Sequence, residues 1–288
     1  MSLESRHPGF ELIEDRLSKK FHVVDEIDSF ASSITIVADK DGKQYVAKTG
    51  VTSYEKLTPD RLVYMYRVLK GTPAEIIDVY GQTCLMKYAE SDEDISRPLP
   101  AQDIVDVFHS ASFEISDFAA CSFDNAKEHI SRMFQESIDK QVTRVRKWGK
   151  DWLLELDSSP NFRRTVQHGD LLDKNLLVPK GGRIIPLDPL PLETVWFWDL
   201  ARYVAWVRDE SFSSRVEYIH EIRQCIDLPD VFETCVAAFL AIEFCRPFTD
   251  SSYHYRNNAV RDLFLLAPIS VGLDALSVSH GVIVEGVE

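Results

Sequence analysis

An α+β fold in two parts, the first β-rich and the second mainly helical, is predicted by three features of the sequence. Between Phe21 and Tyr88 short β-rich runs alternate with turn chemistry. Beyond Asp94 the apolar residues return at helical spacing, and one β-like island, Asn175 to Asp188, interrupts them. At 288 residues the chain is long for a single domain, and the polar stretch Glu90-Ser91-Asp92-Glu93-Asp94 places a boundary between residues 1–89 and 90–288.

In the first part, Ser33–Ala38 and Lys43–Lys48 flank Asp39-Lys40-Asp41-Gly42, a hairpin signal, and Phe21–Ile27 pairs alongside. Thr58-Pro59-Asp60 reads as N-cap, first helical position and acidic first turn. Leu62, Met65, Tyr66 and Leu69 follow on one helical face, and Gly71 ends it. Glu75–Tyr80 and Thr83–Tyr88 meet at Gly81-Gln82 as a second hairpin. The order of three strands, one helix and two strands predicts a five-stranded antiparallel sheet.

In the second part, helices are predicted over 101–116, 123–148, 195–208, 214–226, 230–244 and 255–266. Trp196, Leu200, Tyr203, Val204 and Val207 share one face of the third. Within the island, Asn175–Val178 and Arg183–Asp188 flank Pro179-Lys180-Gly181-Gly182, a hairpin that holds its two ends, Asn175 and Asp188, close together.

Composition narrows the partners. A chain 45% hydrophobic and 27% charged is globular, and a formal net charge of -14 argues against nucleic acid or an anionic membrane surface as a partner. A cationic small-molecule substrate is compatible with that charge. The five cysteines, Cys84, Cys121, Cys225, Cys235 and Cys245, form no CxxC pair, so they read as reduced thiols rather than disulfides or a zinc site. The charged N-terminal stretch is unlike a signal peptide and no run of about 18 apolar residues occurs, so a cytoplasmic location is expected. Oligomeric state is left open.

The chemistry is concentrated in His168-Gly169-Asp170, with Asn175 five residues beyond the Asp and Asp188 thirteen further on. Phosphoryl transfer needs an acceptor hydroxyl held in line and charge neutralised on the triphosphate. A carboxylate, Asp170, orients the hydroxyl and accepts its proton. An amide oxygen and a second carboxylate, Asn175 and Asp188, suit magnesium, which takes a few hard oxygen ligands and keeps some waters.

These residues resemble the HGDxxxxN catalytic loop of the aminoglycoside phosphotransferase and choline kinase superfamily, itself related to the HRDxxxxN loop of protein kinases. Leu187-Asp188-Pro189 resembles that superfamily's second metal-binding segment, and Trp198-Asp199-Leu200-Ala201 the Asp-Leu-Ala that follows it. The resemblance implies a protein-kinase-like, two-lobed fold, with ATP or GTP and Mg2+ in the cleft. Lys48, in Val46-Ala47-Lys48, then meets the α and β phosphates and pairs with Glu55 or Asp60. The loop Asp28–Ser33 lacks glycine, so Ser29, Ser32 and Ser33 are the expected phosphate contacts, and Met86 and Tyr88 flank the purine edge. His168 and Asp199 are expected to brace the loop. Asp188-Pro189-Leu190 replaces the Asp-Phe-Gly of protein kinases.

The acceptor expected first is an aminoglycoside or related amino-sugar antibiotic, with choline, a sugar or another hydroxylated metabolite as alternatives. Glu193, Asp209, Glu210, Glu243 and Asp250 are candidate acceptor carboxylates, and Trp196-Phe197-Trp198 is expected in the core, with one ring available to stack on a substrate. The glycine-free loop also leaves open a nucleotide-binding pseudokinase that acts as an interaction module.

Overall fold

The computed structural model describes residues 20–27, 32–50, 56–91, 98–134, 140–180, 182–207 and 215–243. The chain divides into two compact units, Met1–Glu93 with Leu177–Ile185, and Asp94–Leu176 with Pro186–Glu288.

The first unit is built on an antiparallel sheet of β1 (Phe21–Ile27), β2 (Ser32–Asp39), β3 (Gln44–Gly50), β4 (Ile76–Tyr80) and β5 (Thr83–Lys87), in the order β1-β2-β3-β5-β4. The first hairpin closes because the Asp39 carboxylate accepts the amides of Asp41 and Lys43, at 2.9 and 3.0 Å, while Gly42 takes φ 79°. Val37, Ala47 and Leu85 form the sheet's buried centre, with Phe21, Tyr45 and Tyr80 packed around it. Helix α1 (Pro59–Leu69) starts where Thr58 Oγ1 accepts the Arg61 amide at 3.2 Å. Its buried face comprises Arg61, Tyr64, Met65, Val68 and Leu69, rotated from the predicted stripe so that Tyr66 is 43% exposed. The two stripes share Met65 and Leu69 and differ in which tyrosine is covered, a choice made by packing.

The second unit contains α2 (Ala101–Ser110), β6 (Asp124–Asn125), α3 (Ala126–Met133), α4 (Lys140–Ser158), β7 (Arg164–Gln167), β10 (Leu192–Val195), α5 (Trp198–Trp206), α6 (Arg215–Cys225) and α7 (Phe232–Glu243). The short hairpin of β8 (Leu176–Leu177) and β9 (Ile185–Pro186) spans the boundary in sequence between the units. Three predicted helices are corrected. The first stops at Ser110, because Phe113 leaves it to pair with Val166. The second is divided: α3 opens on a capping box, with Asn125 and Glu128 each accepting the other's amide, and ends at Met133, whereas α4 runs on to Ser158. The third begins only at Trp198, because Leu192-Glu193-Thr194-Val195 alternates like a strand and pairs with β7, Leu192 opposite Gln167. The predicted helix 255–266 lies outside the described residues.

Aromatic rings fill the core of this unit, with Trp198 edge-on to Phe239 at 4.9 Å and Phe197 edge-on to Phe162 at 5.5 Å. Gly149 on α4 lets α7 approach closely: a Cβ there would lie 2.5 Å from the Ala238 carbonyl oxygen and 2.9 Å from the Ala241 Cβ. Among the described residues no helix is long and apolar enough to cross a membrane. Gly149→Ala sets a helix-propensity gain of about 1 kcal/mol against this overlap, which costs about 1–3 kcal/mol. A net loss of stability in urea titration is therefore expected, against the propensity scale.

Candidate active site

The loop after β7 is shaped by its glycine. Gly169 has φ 75°, and a Cβ at that position would stand 1.9 Å from the Leu190 carbonyl oxygen. No other residue fits there. Its amide is held by Asp199, whose two carboxylate oxygens accept it at 3.1 and 2.9 Å. Asp199 lies in the first turn of α5, and that turn is fixed in its turn by Gln167: Oε1 accepts the Asp199 amide at 2.8 Å, while Nε2 donates to the Val195 carbonyl at 2.6 Å. His168 is fully buried. Its carbonyl accepts the Leu190 amide at 2.7 Å and its Nδ1 accepts the Asp170 amide at 3.3 Å, so it ties the loop to the segment after Asp188.

Asp170 emerges from this loop into a set of donors. Arg202 places Nη2 2.8 Å from Asp170 Oδ1 and donates Nη1 to the Gly169 carbonyl; Asn175 Nδ2 lies 2.8 Å from Oδ2, and exposed Lys174 stands 3.8 Å away. Burial alone raises the carboxyl's pKa, but the Arg202 guanidinium, with Lys174 and the Asn175 amide, more than offsets it and holds the value down at about 2. Asp199 goes the other way. Burial dominates there, over the Gly169 amide and the Arg202 charge, and pushes it up to about 6. Beneath the pair, His129 is buried with neither ring nitrogen bonded among the described residues; burial and the Arg202 charge push its pKa well below the usual range, so the ring is neutral.

Asn175 is oriented by the same network. Its Nδ2 meets two acceptors, the Asp170 carbonyl at 2.7 Å and the Asp170 carboxylate, so the amide nitrogen must face Asp170. The oxygen Oδ1 is thereby turned away, and takes no hydrogen bond among the described residues. The Asn175 carbonyl accepts the Leu187 amide at 2.7 Å, which seats the residue before Asp188 against Asn175. Asp188 itself has φ 58°, the one non-glycine residue with positive φ among those described. A left-handed residue costs about 1–2 kcal/mol, and such strain gathers where a side chain must be aimed.

The structure thus brings His168, Asp170, Asn175 and Asp199 into one connected cluster, with Asp188 one residue from it along the chain. Lys48 is buried on β3, opposite Cys84 of β5; Met86 is buried on β5, and Tyr88 follows it with its amide 3.4 Å from the Gln44 carbonyl. Ser29 and Glu55 lie outside the described residues, as do Asp209, Glu210 and Asp250 and the side chains of Ser32, Ser33 and Glu243. Asp60 sits in the first turn of α1. Glu193, among the candidate acceptor carboxylates, is paired with Arg164 at 3.3 Å and stays partly exposed. Arg202 and Tyr203 were missed by sequence reasoning, although an arginine inside the apolar run Leu200-Ala201-Arg202-Tyr203-Val204 signals a buried charge with a purpose. Tyr203 donates to the Asp173 carboxylate at 2.8 Å, holding the far side of the loop.

No family model and no curated protein sequence matches the chain. Solved structures match it over nearly its whole length. Choline kinase LicA from Streptococcus pneumoniae superposes with a TM-score of 0.58 at 16% identity, covering 90% of this chain and 100% of that one. Amicoumacin kinase hAmiN, in complex with AMP-PNP, Ca2+ and Ami, gives 0.61 at 11% identity over 95% of this chain and 98% of its own. Macrolide 2'-phosphotransferase type I gives 0.57 at 14% over 93% and 99%. The chain shares the fold of these small-molecule kinases. Within that kinase-like fold the cluster around Asp170 occupies the turn after β7, where the sequence carries its His-Gly-Asp.

Two outcomes follow from the site's electrostatics and backbone. Asp199 has a raised pKa, so its contribution to stability is fully present below the ordinary carboxylate range and is lost as the pH rises through about 6. Relative to Asp199→Asn, the wild type is expected to gain on the order of 2 kcal/mol between pH 7 and pH 4, read as a widening Tm difference. At position 188, where φ is 58°, Asp188→Gly is expected to be more stable than Asp188→Ala by about 1–2 kcal/mol in denaturant titration.

Proposed function

We propose that this chain is a small-molecule kinase that moves the γ-phosphate of ATP, or GTP, onto a substrate hydroxyl. The observation that carries the reading is the orientation of Asn175. One amide uses its nitrogen to hold the hydroxyl-orienting carboxylate of Asp170, and keeps its oxygen for a hard cation beside Asp188. That donor set, one amide oxygen and one carboxylate, fits magnesium, which takes its remaining ligands from phosphates and water. When bound, the ion neutralises charge on the triphosphate.

Asp170 positions the acceptor hydroxyl and takes its proton as the new P–O bond forms and the bond to the leaving diphosphate breaks. Its low pKa makes it a weak base before transfer, which suits a loose transition state in which the hydroxyl proton is lost late. Asp199 and His168 hold the loop and take no part in proton transfer. Lys48 is assigned to the α and β phosphates, Ser29, Ser32 and Ser33 to the triphosphate, and Met86 and Tyr88 to the purine edge. Residues 1–89 then form the nucleotide-binding part, and residues 90–288 the catalytic and acceptor-binding part.

For the acceptor we place an amino-sugar antibiotic first and choline-like or sugar metabolites second. The net charge of -14 favours a cationic acceptor, and similar folds include kinases named for choline, amicoumacin and spectinomycin. A thermal-shift screen of MgATP, MgGTP and hydroxylated amines and sugars, followed by transfer assays on each hit, identifies the pair. Asp170→Asn is expected to leave nucleotide binding intact while turnover falls at least about 100-fold, within the usual range for an acid–base group. Unchanged turnover removes Asp170 from the role, and binding of ATP with no transfer or hydrolysis makes the protein a pseudokinase.

A further inference from the structure

Three residues of one helical face grip three residues of the catalytic loop. On α5, Asp199 accepts the Gly169 amide, Arg202 reaches the Gly169 carbonyl and the Asp170 carboxylate, and Tyr203 donates to Asp173. Positions i, i+3 and i+4 project from the same side of a helix, so a single rigid element sets the loop. Two of these contacts hold the loop at either end, one on the Gly169 amide and one on the Asp173 side chain. The third brings a buried cation onto the one carboxylate that the reaction uses.

Burying a guanidinium is costly, and Arg202 is 4% exposed. Its planar fork is spent in one direction: Nη1 on the loop's backbone, Nη2 on Asp170 Oδ1 at 2.8 Å, and its face 6.0 Å from the Trp206 ring, leaving Nε without a hydrogen bond among the described residues. The other carboxylate oxygen receives the Asn175 amide at 2.8 Å. With one donor on each oxygen, the carboxylate cannot rotate about its Cβ–Cγ bond without breaking a charged contact. Its remaining lone pairs keep one direction whether or not an acceptor is bound.

The geometry points to Arg202 as a positioning residue for phosphoryl transfer: anchored on the Gly169 carbonyl, it locks the rotation of the Asp170 carboxylate so that the acceptor hydroxyl meets it already aligned. This rests on the kinase reading above. Nothing in the His-Gly-Asp pattern supplies this cation, which comes from the residue three after Asp199. Positioning of this kind is steep, since a displacement of about 1 Å can cost about 100-fold in rate.

The test uses the full-length protein and magnesium-dependent hydrolysis of radiolabelled ATP, with water as acceptor. Arg202→Lys keeps the charge but loses the two-pronged fork, and is expected to lower kcat about 10- to 100-fold while leaving KM for MgATP unchanged. Arg202→Met leaves Asp170 buried without its counter-ion and can fail to fold, so it is also built on Asp170→Asn, where that charge is gone. In that background Arg202→Met is expected to cost no further turnover, because its effect passes through Asp170. An active wild type whose kcat is indifferent to Arg202→Lys overturns the positioning role alone. So does an equal loss from Arg202→Met in both backgrounds. A wild type that turns over neither MgATP nor MgGTP, with water or with any acceptor of the screen above, overturns the kinase reading, and this role with it.

Discussion

The Gly169 amide, clasped by both oxygens of the Asp199 carboxylate, is the contact from which the rest of the site takes its shape. Because φ at Gly169 is positive and its Cα lies under the Leu190 carbonyl, the chain turns back sharply after β7 and delivers Asp170 on the far side of the turn. The carboxylate that holds this turn is itself held through Gln167, which joins the start of α5 to β7 and β10. A strand end, a helix start and the His-Gly-Asp loop are thereby one hydrogen-bonded unit. Such a buried hydrogen-bonded network is rigid.

Two carboxylates within this unit illustrate how environment divides chemical labour. Asp199, enclosed and facing mainly backbone amides, has its pKa raised, whereas Asp170, more exposed beside it, has its pKa lowered by Arg202. Arg202 favours the charged form of both, but only Asp170 receives the guanidinium directly at 2.8 Å. Distance decides, because in a medium of low dielectric a direct charged hydrogen bond exceeds the cost of burial and a more distant one does not. His129, neutral beneath them, adds bulk without adding a competing charge.

Much of the fold was legible locally. The Asp39–Gly42 turn, the Thr58 cap and the hairpin of β4 and β5 are short-range chemistry, in which a few adjacent residues satisfy their own backbone groups. The errors fall where partners are distant in sequence. Leu192–Val195 reads as the lead-in to an aromatic-rich helix until β7 is beside it, and the divided α3 and α4 share one apolar rhythm that only their packing separates. The buried face of α1 is a further case, since two overlapping stripes share Met65 and Leu69 and packing selects one.

The sequence by itself determined the order of strands and helices, the glycine that the turn requires, and the identity of the carboxylates and amide within and just after the His-Gly-Asp loop. Those properties depend on residue type and on spacing along a few neighbouring positions. Tertiary structure alone decided that Arg202 would sit on Asp170 and that Arg164 would meet Glu193. Each of those outcomes is set by which polar groups converge, and convergence between residues about 30 positions apart is fixed only when the chain has folded.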